Sequence, residues 1–412
     1  MQASPGRAPA IGFIFVTVVL AIVGFGLLIP VLPKLIVQFQ GGDLTAGSHT
    51  YGWLVGIYAL MQFVGSPILG SLSDRFGRRT IILIATAGSA LDYLIMANAP
   101  TLSWLVVARI VAGFTGGVLS TANAYIADVT PPEKRAGSFG LIGAAFGIGF
   151  IIGPALGGLL GEIDLRLPFW VASGCSAANW IFGYFVLPES LAPAHRRPFS
   201  WARANPIGAL AALRRFPAVL GLAGSYFMLM LAQNMLFTTW ALYTDHRYHW
   251  SPLSVGLSLM FVGVLSGLVQ AVLVRRIVPA LGDKRAVIVG MTISMCSQLS
   301  YGLATQSWMI YAIMTVGAFA GIATPALQSY ITKHVPPNEQ GAVQGVYGGL
   351  GSLAGIPAPV VATWSFGWAI SPQSPVYLPG IAFFEAALLV AIALVLTVRA
   401  FRQDHGPAWS AQ

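Results

Sequence analysis

Ionisable side chains are scarce. Asp, Glu, Lys and Arg make up 8% of the 412 residues, against about 25% in an ordinary soluble domain. So few charges exclude a water-soluble globular enzyme, and with 11% aromatic residues the chain is not disordered either. Cysteine is nearly absent: Cys175 and Cys296 lie in apolar runs without neighbouring metal-type ligands. No disulfide framework or zinc site is indicated, and both read as packing residues. None of the six histidines falls inside an apolar run, which removes a membrane histidine relay. There is no nucleotide loop of the G-x4-G-K type and no carboxylate pair at helical spacing, so an enzyme and an ATP-driven pump are both unsupported. No cofactor or metal is expected.

Apolar residues make up 56% of the chain. They come in continuous runs of about 20, each able to cross a hydrocarbon core of about 30 Å. Continuous rather than alternating runs exclude a membrane β-barrel. A span with its turn uses about 30 to 35 residues, so the length holds about twelve. Hydropathy with Gly, Pro and charge punctuation places them near 11–33, 51–72, 80–98, 102–126, 137–160, 168–187, 216–243, 252–274, 285–304, 308–331, 341–366 and 376–398. The first run is too long for a signal-peptide core and reads as a retained span. The expected fold is an all-α membrane protein of twelve transmembrane helices.

The net charge of +9 raises the question of a nucleic-acid partner. With the N-terminus in the cytoplasm, 18 of the 22 basic residues fall on the inner side, Lys34, Arg166 and Arg247 on the outer, and Arg109 within a span. The positive-inside rule therefore accounts for the basic excess, places both termini in the cytoplasm and leaves no case for nucleic acid.

The longest hydrophilic stretch, 188–215, sits at the midpoint and reads as a cytoplasmic linker between six-span bundles at 1–187 and 216–412. A shift of 205 residues aligns Gly116 with Gly321, Tyr125-Ile126 with Tyr330-Ile331, Pro131-Pro132 with Pro336-Pro337, Gly140 with Gly345, Gly143 with Gly348 and Pro154 with Pro359. Six spans are an even number, so the halves enter the membrane in the same direction as parallel repeats, able to rock about a central site. Chance matching of abundant Gly and Pro is the alternative.

Between spans 2 and 3 lies Gly70-Ser71-Leu72-Ser73-Asp74-Arg75-Phe76-Gly77-Arg78-Arg79. It resembles the G-x-x-x-D-R-x-G-R-R loop of the major facilitator superfamily. The resemblance implies a gating latch made by Gly70, Asp74, Arg75, Gly77, Arg78 and Arg79, with Asp128 at the end of span 4. A plain solvated basic loop is the other reading. Span 5 carries Gly140, Gly149, Gly153-Pro154 and Gly157-Gly158. This resembles the antiporter motif of twelve-span drug/proton exchangers; small residues also suit a simple packing face.

Tyr58-Ala59-Leu60-Met61-Gln62-Phe63, Leu91-Asp92-Tyr93-Leu94-Ile95-Met96-Ala97, Ala108-Arg109-Ile110-Val111-Ala112-Gly113 and Ala124-Tyr125-Ile126-Ala127-Asp128 narrow the match. Together with Trp250-Ser251, Gly256-Leu257-Ser258-Leu259 and Pro325-Ala326-Leu327-Gln328, they resemble the bacterial tetracycline-efflux family over almost the whole chain. Ala21 and Ser294 stand where that family typically has intramembrane aspartates in spans 1 and 9, and of its span acids Asp92 persists.

Two carboxyls lie deep, Asp92 and Glu385. An ionised group near mid-bilayer costs on the order of 2.5–3.5 kcal/mol, so each must protonate, pair or face water. Asp92 and Arg109 are nearly symmetric about the turn Ala99-Pro100-Thr101, within pairing reach. They read as the proton-coupling pair or as a static ion pair that fixes packing. Glu385 is a further proton-coupling candidate, or a protonated structural acid. Gln62, Asn123, Gln233, Asn234, Phe237, Gln270 and Gln328 sit at mid-span depth as candidate substrate contacts. Each also suits interhelical hydrogen bonding, and Gln62 additionally matches the family's span 2 glutamine.

The resemblance implies a proton-coupled efflux antiporter in the bacterial inner membrane, exporting a small amphiphilic or hydrophobic compound, tetracycline-like drugs among the candidates. Its partners would be that small molecule, protons and membrane lipid, and the chain would act as a monomer. An uptake symporter, a lipid flippase and a non-transporting receptor or scaffold on the same fold remain open.

Overall fold

A computed structural model describes residues 7–131, 134–201, 217–335 and 340–403. The linker beyond residue 201, Pro132, Pro336, Pro337 and both chain ends lie outside the described residues. Among the described residues no strand occurs, and twelve helices follow one another in the expected order. They are α1 (Arg7–Leu28, continued after a bend of 42° by Leu32–Phe39), α2 (Leu44–Phe76), α3 (Arg78–Asn98), α4 (Leu102–Val129), α5 (Arg135–Ile163) and α6 (Leu167–Val186). The second half supplies α7 (Pro217–Tyr248), α8 (Pro252–Leu281), α9 (Asp283–Leu303), α10 (Ser307–Ile331), α11 (Gln340–Ala354 and Pro357–Ile370) and α12 (Ile381–Gln403).

Nine of these are long and apolar enough to cross a membrane, and the bent α1 makes a tenth. The two others, α6 and α7, have 20 and 32 residues and are long enough to cross as well. Large apolar side chains stay exposed on the helix surfaces, including Phe185 at 79%, Ile163 at 74% and Trp308 at 66%. Exposed apolar area on that scale suits lipid contact and not water. The chain is a multi-pass membrane protein.

The described residues fall into two compact units. Of these, the first holds 7–42, 57–201 and 251–260, and the second 43–56, 217–250 and the described residues of 261–403. In the first, Phe13, Ile14, Val18 and Ile22 of α1 pack with Ile82 of α3, Ala122, Tyr125 and Ile126 of α4 and Ala145 of α5. In the second, Met235 of α7, Met291 of α9, Leu327 and Tyr330 of α10, Val346 of α11 and Val390 of α12 share a core.

Each unit includes one helix end contributed from the other half of the sequence. In the first, a Cβ on Gly256 of α8 would collide with the carbonyl oxygen of Pro154. In the second, a Cβ on Gly52 of α2 would lie 2.9 Å from that of Pro359. Pro154 and Pro359 are repeat-related, so the same glycine-on-proline packing occurs twice. Cys175 and Cys296 are both free and exposed, so neither serves the interior packing expected of it.

Candidate functional site

Gly113 of α4 has no side chain, and a Cβ there would meet the carbonyl oxygen of Tyr58 at 2.5 Å. α4 can therefore lie directly on α2, and Arg109, one turn earlier, comes to rest with its guanidinium 5.4 Å from the Tyr58 ring. From the facing helix α3, Asp92 closes the arrangement: Arg109 Nη2 donates to both carboxylate oxygens, at 2.7 and 2.6 Å. The two residues are 2% and 6% exposed. The same nitrogen touches Met96 Sδ, while Arg109 Nε is buried without a hydrogen-bond partner. Gln62 Nε2 donates to the Tyr58 hydroxyl at 3.3 Å, which links a candidate substrate contact to the ion pair through one phenol ring. Arg166 secures the α3–α4 turn by donating to the carbonyls of Ala97 and Ala99, a cation at a helix C-terminus. Removing one member of such a buried pair costs about 3–5 kcal/mol, so neither residue is free to change alone.

The loop between α2 and α3 turns at Gly77, whose φ of 102° disfavours any side chain. Arg78 pairs with Asp74 at 2.7 Å and Asp128 at 3.1 Å. Arg79 donates to the Tyr184 carbonyl at 2.6 Å, and Arg75 stacks over Phe76. Sequence reasoning missed Glu189. Its Oε1 accepts from the Arg78 backbone N–H at 2.8 Å and so caps the start of α3. Ser190 adds a bond to Asp128. The position of an acid just after span 6, opposite the α3 N-terminus, is a signal only once the topology is known.

The span 5 motif divides into contacts. Cβ atoms on Gly149, Gly153 and Gly157 would collide with Ile22, Val23 and Leu27 of α1, at 2.7, 2.8 and 2.5 Å, so this face carries the α1–α5 packing. Gly158 instead faces Pro252 of α8, at 2.5 Å. Gly140 and Gly70 have nothing within 4 Å.

A cavity of about 270 Å³ opens inside the second unit, between α7, α8, α9, α10 and α12. It brings together Gln233 and Gln270 of the expected substrate contacts. Asn234 donates to the Met230 carbonyl within its own helix and, like Phe237 and Gln328, does not line the cavity. Gln62 and Asn123 belong to the first unit, and Asn123 is exposed, bonded to the Leu119 carbonyl. Glu385 lies in the second unit, where its Oε2 accepts from Ser365 at 2.8 Å, so it does not join Asp92 and Arg109. The cavity also uses Ser294, Ser297, Gln298 and Tyr301, which sequence reasoning left out of the substrate set. Their i, i+3, i+4, i+7 spacing marks a polar stripe on one face of α9, a signal readable in the sequence.

Residues 14–359 match the family model described as Major Facilitator Superfamily. The chain is 39% identical to "Tetracycline resistance protein, class C" of Escherichia coli, over 92% of this chain and 93% of that one. It is 34% identical to "Tetracycline resistance protein, class H" of Pasteurella multocida, covering 93% and 94%. Among solved structures it resembles a bacterial homolog to the human lysosomal transporter Spinster in an inward-facing, unoccupied conformation. There the identity is 16%, the TM-score 0.76, and the coverage 97% of this chain and 98% of that one. That likeness concerns the fold. With twelve helices among the described residues, a glycine-turned basic loop and a match of residues 14–359 to the family model, the chain belongs to the major facilitator superfamily of transporters.

Proposed function

We propose that this chain is a proton-coupled efflux antiporter of the bacterial inner membrane, exporting a small amphiphilic compound by alternating access. The observation that carries the reading is the buried Asp92–Arg109 pair, the kind of group a proton can address across a membrane. When the carboxylate takes a proton, Arg109 loses its partner, and the arrangement around Tyr58 and Gln62 has to change. Moving one charge through 100 mV yields about 2.3 kcal/mol, enough for roughly fiftyfold accumulation of a neutral substrate.

The relatives' names support a drug as cargo, with tetracycline-like compounds among the candidates. In this reading the six-helix bundles 1–187 and 216–412 rock about the linker 188–215, with both termini cytoplasmic. The Asp74–Arg78–Asp128 cluster acts as a gating latch, and a single chain suffices. The test is drug susceptibility of an expressing strain with and without a protonophore. Resistance abolished by the protonophore supports the proposal; resistance that survives it contradicts proton coupling.

A further inference from the structure

The 205-residue repeat carries Asp92 of α3 to Ser297 of α9, and Arg109 of α4 to Met314 of α10. Where the first unit holds a buried ion pair, the second holds a hydroxyl and a thioether, both buried, and Ser297 lines the cavity. None of the residues around that cavity is Asp, Glu, Lys, Arg or His. Two helices abandon regular α geometry on its wall. α8 passes through a π-helical turn at Val269–Leu273, which includes Gln270, and α10 through a 3-10 turn at Ala318–Ile322. Irregular turns of this kind inside long helices recur at binding sites. Gln298 lines the same wall, is 4% exposed, and its Oε1 accepts no hydrogen bond. A buried amide oxygen left unpaired is an acceptor waiting for a donor that the protein itself does not supply. Leu236, Val262 and Met291 provide the apolar remainder.

We infer that this cavity is a binding site for an uncharged amphiphile carrying hydroxyl or amide N–H groups, with Gln298 as the acceptor that orients it. The inference rests on the transporter reading and sharpens its substrate class. A charged ligand would enter a wall with no counter-ion and lose hydration that the amides and hydroxyls replace poorly. An uncharged one keeps its hydrogen bonds by exchanging water for Gln298, Gln270, Gln233 and Ser294. The repeat thus divides the labour, with the titratable pair in one unit and the neutral pocket in the other.

The test is equilibrium binding of chloramphenicol, an uncharged diol with an amide, to the purified full-length protein in detergent, with ethidium, a permanent cation, as competitor. Saturable chloramphenicol binding that ethidium fails to displace is expected, together with at least a tenfold higher Kd in both Gln298→Leu and Gln270→Leu. These two lie on different helices, so if one variant loses its monodisperse fold the other still decides. No saturable binding, wild-type Kd in the folded variants, or displacement by ethidium overturns the inference. Proton-driven export that fails while chloramphenicol binding persists counts against the proposed function alone. Export that persists without chloramphenicol binding counts against the cavity alone.

Discussion

Asp283 binds Lys333 at 2.5 Å, and each stands 205 residues beyond a member of the Arg78–Asp128 pair, with the charges exchanged. Both pairs join the start of the third helix of a half to the end of the fourth. The repeat extends to the backbone: Gly77 and Gly282, also 205 residues apart, precede those helices with φ of 102° and 76° and the same ψ of 154°. The geometry of this turn is thus the same in both halves while the charges of its ion pair are exchanged.

Burial separates the two pairs energetically. The side chain of Lys333 is 65% exposed and that of Arg78 12%. Lys333→Ala should cost less than about 1 kcal/mol, as exposed ion pairs do. Arg78→Ala removes a guanidinium shared by Asp74 and Asp128 and should cost about 2–3 kcal/mol, in the range of hydrogen bonds to charged groups. Thermal unfolding of the purified variants checks this, and equal shifts in Tm would contradict it. In the second half, Asp283→Lys combined with Lys333→Asp should recover the small loss of either single change.

The span 5 glycines should not behave alike. Gly153→Ala places a methyl 2.8 Å from the Val23 carbonyl oxygen and should cost about 1–3 kcal/mol by overpacking, with export reduced accordingly. Gly140→Ala meets open space and should leave both stability and export near wild type. Vesicle transport normalised to protein level reads the difference. An equal loss at Gly140 would mean that the motif acts through contacts other than these.

Much of the fold was legible because lipid imposes a strict rule: a run of about 20 apolar residues in a membrane has to be helical. The spans, their order and the pairing of Asp92 with Arg109 across the α3–α4 turn followed from length, hydropathy and helical rise. The contacts that hold the loop between α2 and α3 did not, because Glu189 lies 111 residues from the Arg78 N–H it caps. The cavity was half legible. Gln233 and Gln270 stand out as polar residues at mid-span depth, whereas the value of Gln298 lies in the stripe it forms with Ser294, Ser297 and Tyr301. Glu385 resembled Asp92 in sequence, yet the neighbour that distinguishes them, Ser365 instead of an arginine, comes from another helix.

His246 supplies a pH dependence. It lies in the last turn of α7, beyond the apolar run 216–243, with Nε2 bonded to the Tyr377 hydroxyl at 2.8 Å and the ring edge-on to Phe366. Burial lowers its pKa from the usual 6.5, reinforced by His249 and Arg247 and opposed by Asp245. A base whose folded pKa is depressed is protonated first in the unfolded chain. Stability from this contact is therefore full above about pH 6.5 and falls as the pH drops from there toward the folded value. The Tm should decline as the pH falls below about 6.5, and His246→Gln should flatten that decline. An unchanged slope in the variant would remove His246 as its source.

Asp92 bears the central claim, that a proton enters the transport cycle through the buried pair with Arg109. The direct measurement is uphill accumulation, in everted membrane vesicles with an imposed pH gradient, of the drug to which the expressing strain gains resistance. Asp92→Asn and wild type should be compared at equal protein level. The account predicts that the asparagine variant loses gradient-driven accumulation while still equilibrating the drug down its own gradient. Accumulation by Asp92→Asn at the wild-type level would contradict it.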